Sequence, residues 1–270
     1  MNKAMKTTVL ILLSAITLFS VSAFSAKKTI REKSTYTVME KTLIQIFTPY
    51  ALAGGYSRIK ISTDYENTLY TGGVMVENNM INIIFGSEFN KAYPNLPEDA
   101  YAKILCHELG HIFGETPKAD QINQLISPEA EADYFAGAVC LKKLFRAYPM
   151  QNLQIPDPVV GMKCLSVYKK SEDRKLCERI AMSGLTFFTA LRTSLLKTKA
   201  IIPADTFYAQ PDFSKKETRY FDFYPSLQCR TETIAAGAYC NTSENLWSLG
   251  EKNWHCQSGL GARLGCWLKQ

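Results

Sequence analysis

The 270-residue sequence predicts a mainly helical α+β fold with a small sheet, and three observations carry that expectation. Apolar residues recur at helical spacing through 36–52, 96–114, 127–145 and 171–197. Runs rich in β-branched residues are confined to 57–63 and 72–86. All eight cysteines follow the first apolar segment, which suggests helices tied by disulfides in the C-terminal part.

The elements follow in chain order. Lys3 and Lys6 precede an uncharged apolar run and then small residues, the three-part layout of a signal peptide over 1–26 with cleavage between Ala23 and Ala26. An uncleaved membrane anchor is the rival, because the apolar run is just long enough to span a bilayer. Residues 27–270 read as one unit without a further membrane span. Within it, 36–52 form an amphipathic helix and 57–63 a strand. Asn78 and Asn79 separate two strand-like runs and predict a hairpin, with residues 80–85 as its second arm and as an edge strand for an extended substrate. Pro97, Glu98 and Asp99 open the next helix, which stops near Gly114 and Pro117. Ser127 as cap and Pro128 in the first turn open another, and 171–197 form a long helix whose Met, Phe and Leu residues belong to the core.

Without Lys3 and Lys6 the formal charge falls from +6 to +4, which does not suggest a nucleic-acid partner. Its distribution is uneven. Residues 163–199 carry nine Lys or Arg against three acids, a solvated helix face or a contact for an anionic envelope surface. Residues 87–133 carry nine acids against three lysines, a setting that favours a bound cation. Cysteines behind a leader point to a periplasmic or secreted protein. Short loops favour Cys164 with Cys177, Cys229 with Cys240 and Cys256 with Cys266. Cys106 and Cys140 lie in apolar helices as buried thiols or a fourth bridge, and no Cys-x-x-Cys pair offers a zinc–cysteine site.

Residues 106–114 read CHELGHIFG. Helical geometry puts His107 and His111 on one face, where both imidazoles can meet one ion, with Glu108 beside them as general base. A catalytic zinc needs a third protein ligand, and EAEAD at 129–133 supplies it. Glu129 is the expected ligand. Asp133, one turn further on the same face, is placed to fix the tautomer of a ligand histidine. Glu131 is rotated by about 200° and is read as solvent-facing, with a fallback role as ligand. His255, between Trp254 and Cys256, reads as structural.

HELGH followed by EAEADYFA resembles the gluzincin metallopeptidases, and most closely the CAAX prenyl endopeptidases with their soluble bacterial-envelope relatives. The likeness spans about residues 75–145, and regulator-cleaving peptidases of another gluzincin family carry a related pattern. It implies a zincin-like fold and a zinc endopeptidase acting on polypeptides. It further implies an active-site wall at YPSLQCR, where Tyr224, Pro225 and Arg230 take the places of a His-Pro motif and its arginine. Tyrosine stands where that family has histidine. Tyr224 is then expected to donate to the substrate carbonyl oxygen, and Arg230 to hold substrate carbonyls or a carboxylate. The membrane helices of the prenyl endopeptidases are missing and 146–215 match no known pattern, so a soluble relative with at most peripheral envelope contact is implied. Two other classes compete: a zinc-binding chaperone or binding protein that does not cleave, and a disulfide-rich structural protein with an accidental motif.

Overall fold

The computed structural model describes residues 34–64, 72–93, 95–121, 124–148, 157–197, 209–248 and 254–269. The leader expected over 1–26 lies outside them. Helix α1, Ser34–Ala53, lays down Tyr36, Met39, Leu43, Phe47 and Ala51 as one buried stripe at three- and four-residue spacing. Strand β1, Arg58–Asp64, follows. The hairpin of β2, Gly72–Glu77, and β3, Met80–Gly86, turns at Asn78 and Asn79, both at positive φ as a two-residue hairpin loop requires.

The sheet order is β1-β3-β2, with β3 parallel to β1 and antiparallel to β2. This corrects the expectation of an edge strand over residues 80–85. That run is the centre of the sheet, which explains its near-continuous burial from Ile81 through Ile83 to Phe85. The edge next to the hairpin turn belongs to β2.

Helix α2, Glu98–Phe113, packs against β2 and β3 and is buried from Ala100 through Ile112. After a two-stranded ribbon, β4 at Ala119–Gln121 and β5 at Gln124–Ile126, the chain enters α3, Glu129–Phe135. Here Pro128 takes the cap position, without a side-chain cap, and Ser127 does not cap as expected. Its hydroxyl donates to Glu115 O, and its backbone N–H donates to His111 O at 2.9 Å, so the residue is committed to α2. The expected single helix also widens into a π turn, Ala136–Cys140, before resuming as α4, Leu141–Ala147. Helices α5, Pro158–Val167, α6, Ser171–Lys197, and α7, Leu227–Tyr239, follow, with short helical turns at Phe89–Ala92, Glu244–Ser248 and Gly259–Gly261. Ser226 caps α7 by accepting from Cys229 N–H.

Four disulfides join the eight cysteines: Cys106–Cys140, Cys164–Cys177, Cys229–Cys266 and Cys240–Cys256. The expected Cys229–Cys240 and Cys256–Cys266 pairs are therefore wrong. Cys229 and Cys240 stand at opposite ends of α7, eleven positions apart, which is roughly 16 Å along a helix and beyond a disulfide's reach. The C-terminal segment instead folds back over both ends of α7 and bridges each one.

Candidate metal centre

Two helices build the site. On α2 the rings of His107 and His111 stand 4.7 Å apart, and α3 brings Glu129 to them. Glu129 Oε2 lies 3.2 Å from His107 Nε2, and its Oε1 lies 3.7 Å from His111 Nε2. These three residues are the one metal-capable group among the described residues, their donor atoms all lying within 4.8 Å of one another.

The far ring nitrogens are engaged elsewhere. His111 Nδ1 lies 2.7 Å from the Ser127 carbonyl, which makes that nitrogen the N–H donor and turns the Nε2 lone pair toward Glu129. His107 Nδ1 sits 2.8 Å from Asp133 Oδ1, at ion-pair distance though outside straight hydrogen-bond geometry. Burial lowers the His107 pKa, but Asp133 and Glu129 outweigh it and leave it raised. His111 moves the other way, down to about 4, through burial and the charge of His107. Both imidazoles and the carboxylate thus turn ligand-type atoms toward a common point, and two histidines with one carboxylate are the residue set of a divalent metal site.

Asp133 is the node behind the site. It is fully buried, and its Oδ1 also lies 2.8 Å from Lys103 Nζ, while its Oδ2 accepts from Arg230 Nε at 2.7 Å. Burial opposes its charge, yet Arg230 and Lys103 prevail and hold its carboxyl well below the usual range. Arg230 Nη1 lies 2.7 Å from Glu129 Oε2, and Nη2 stands 3.3 Å from His107 Nε2. This corrects the expectation that Arg230 turns its fork on substrate, because two of its nitrogens are committed to the acids of α3.

Lys103 escaped the sequence reading. It lies one turn before His107 on the same face of α2, has no exposed surface, and places its ammonium 4.4 Å from the ring centroids of both Phe187 and Phe188. A lysine four positions before a ligand histidine, inside an apolar run, was the signal available. Glu131 also departs from expectation: it faces the protein interior, not solvent. It is fully buried, 2.7 Å from Arg263 Nη2, and accepts from Glu115 N–H at 3.0 Å. Glu129 faces the histidines, so the fallback ligand role of Glu131 is not taken up.

A cavity of about 520 Å³ opens over the histidines, with Glu108, Tyr224, Arg230 and the β2 residues Gly72, Gly73 and Val74 in its lining. Glu108 is buried, and no side chain bonds its carboxyl among the described residues. Burial, aided by the Glu129 charge, raises its pKa to about 7 against the opposing charges of His107, Lys103 and Arg230. Tyr224 is 69% exposed and its hydroxyl has no partner among the described residues. The preceding Phe223 carbonyl accepts from Glu129 N–H at 3.3 Å, which ties this segment to the start of α3. His255 lies elsewhere, 3.3 Å from Glu115 and beside Arg263, on a separate cavity of about 720 Å³ near the C-terminus. That opening is larger, but no metal-capable group adjoins it among the described residues. Compared with protein-family models, with curated proteins and with solved structures, the chain matches none.

Proposed function

We propose that this chain is a zinc-dependent endopeptidase of the bacterial cell envelope, with a zincin-like fold. The observation that carries the reading is the convergence of His107, His111 and Glu129 at the head of a cavity, beside an unpaired Glu108 whose pKa is drawn up to about 7. Two imidazoles and one carboxylate are a usual catalytic zinc set. Zinc held by them supplies a Lewis acid and lowers the pKa of water at the site.

The chain's own residues account for the rest. Glu108 takes a proton from the attacking water and hands it to the leaving amine, work that suits a carboxyl titrating near neutrality. Tyr224 offers its hydroxyl to the carbonyl oxygen where negative charge develops. Asp133 orients His107, while Lys103 and Arg230 keep Asp133 ionised, so these three position the site without touching substrate. A polypeptide in extended form adds along β2, whose Gly72, Gly73 and Val74 border the cavity, and not along β3, which is enclosed in the sheet. Four disulfides suit an exported protein, and no helix among the described residues is long and apolar enough to cross a membrane.

The test joins metal analysis of the purified chain to casein cleavage with and without chelator. One zinc per chain and chelator-sensitive cleavage are expected, and Glu108→Gln should keep the zinc while lowering turnover by about 10² to 10⁴. Zinc without turnover would favour a binding protein or chaperone, and no stoichiometric metal would overturn the site.

A further inference from the structure

The basic run over 163–199 resolves into a local patch. Of its cations, Arg179 is bound to Asp99 at 2.9 Å, whereas Lys163, Lys169, Lys170, Arg174 and Lys175 have no ion pair among the described residues. These five sit at the closed end of the α5–α6 hairpin. Of the acids there, Asp173 is taken by Arg146, which leaves Glu172 and Glu178 against five cations. The same end carries exposed apolar side chains. Val160 and Cys164 turn inward on α5, while Met162 is 64% and Leu165 57% exposed on the same helix.

We propose that this hairpin docks the protein on an anionic lipid surface, with Met162 and Leu165 entering the headgroup boundary and the lysines meeting lipid charge. A merely solvated face would not need two large apolar side chains beside its lysines. Apolar insertion or basic charge alone gives marginal attachment, and the two together give stable attachment. Lysine stems also cover apolar surface while their ammonium groups reach the headgroups. The platform is already ordered: Cys164–Cys177 ties the two helices, and Tyr168 Oη donates to Ala238 O at 2.9 Å and Cys240 O at 2.6 Å. Binding therefore carries little ordering cost. The anchor lies at the last turn of α7, and Arg230 at its first, roughly 12 Å away along the helix.

The test is co-sedimentation of the chain, freed of its apolar leader, with vesicles of phosphatidylglycerol and phosphatidylcholine or of phosphatidylcholine alone. Binding only to the anionic vesicles, weakened by high salt, is expected. Lys169→Glu with Lys170→Glu should lower partitioning by at least about 25-fold, from about fivefold per lysine. Met162→Ser with Leu165→Ser should lower it by about 10-fold or more, with the thermal transition unchanged because both side chains are exposed. The proposal is overturned by equal binding to neutral vesicles, by no vesicle binding, by retention on soluble heparin alone, or by wild-type partitioning of either variant.

Discussion

Glu129, Glu131 and Asp133 alternate along one short helix, and each meets a different partner. Glu129 faces the histidines, Asp133 gathers His107, Lys103 and Arg230, and Glu131 turns to Arg263. Their substitutions should therefore separate cleanly. Glu129→Ala is expected to lose the metal outright. Asp133→Ala should weaken metal binding by about 10- to 100-fold. It should also destabilise the chelated protein by about 3–5 kcal/mol, because Lys103 is left buried without its acid and Arg230 keeps only Glu129 of its two. Glu131→Ala should keep the metal yet cost stability, since the buried guanidinium of Arg263 loses one of its two acids and keeps Glu115. Metal titration together with denaturant unfolding checks all three. Tyr224→Phe is expected to lower turnover by roughly 10² with metal content unchanged. Wild-type turnover would remove Tyr224 from the chemistry. Helical phase made Glu129 and Asp133 legible in the sequence, but it could not show that the opposite face of α3 is covered by the C-terminal segment. That cover is what buries Glu131.

At the scale of elements, the site depends on how closely α2 and α3 approach. Gly110 lies at their crossing, between the ligand histidines in sequence, and a Cβ there would stand 2.5 Å from Ala132 O. Helix propensity alone would favour alanine at this position by about 1 kcal/mol. The clash outweighs it, because the three nearest atoms, Ala132 O, Cα and C, are all backbone and cannot swing aside. Gly110→Ala should therefore destabilise by about 1–3 kcal/mol and lower metal affinity by pushing Glu129 away from the histidines. Unfolding of the chelated protein decides the sign, and a stabilised variant would contradict this packing. Element identity was largely readable: the Asn78–Asn79 turn and the bounds of the helix at 171–197 both rest on local chemistry. Sheet order was not, since inserting β3 between β1 and β2 depends on the path of the chain around the sheet.

Over the whole molecule, disulfides and buried charge set the response to redox and pH. Alkylation without reduction should modify no cysteine, and peptide mapping should recover Cys229 linked to Cys266 and Cys240 linked to Cys256. A Cys229–Cys240 peptide would contradict the helix span of α7. Lys142 offers a pH test away from the metal. Its Nζ donates to the Cys240 carbonyl at 2.5 Å and the Thr242 carbonyl at 3.4 Å, and burial lowers its pKa to about 8. The folded pKa lies below the unfolded one, so between about 8 and 10.5 the unfolded chain holds the extra proton and stability rises with pH. Relative to Lys142→Met, the wild-type chain should gain on the order of 3 kcal/mol across that window and show no difference in slope below it. Parallel unfolding curves from pH 7 to 10.5 check this, and a relative loss above pH 8 would refute it.

What the amino-acid sequence alone specifies is encoded within one or two helical turns. The i, i+4 histidines, the acids of the next helix and their phase follow from a 3.6-residue period, and that period is local. Neither Lys103 nor Arg230 has a neighbour in sequence that explains its burial. They meet at Asp133 only because α2, α3 and α7 converge on one buried carboxylate, with Phe187 and Phe188 of α6 beside the two cations. Cys164 and Cys177 pair across a short loop as the sequence suggests, but the partners of Cys229 and Cys240 and the core position of Glu131 are non-local in the same way. Each is set by which surfaces the packed helices leave in reach, a property of the assembled core that no short stretch of chain contains.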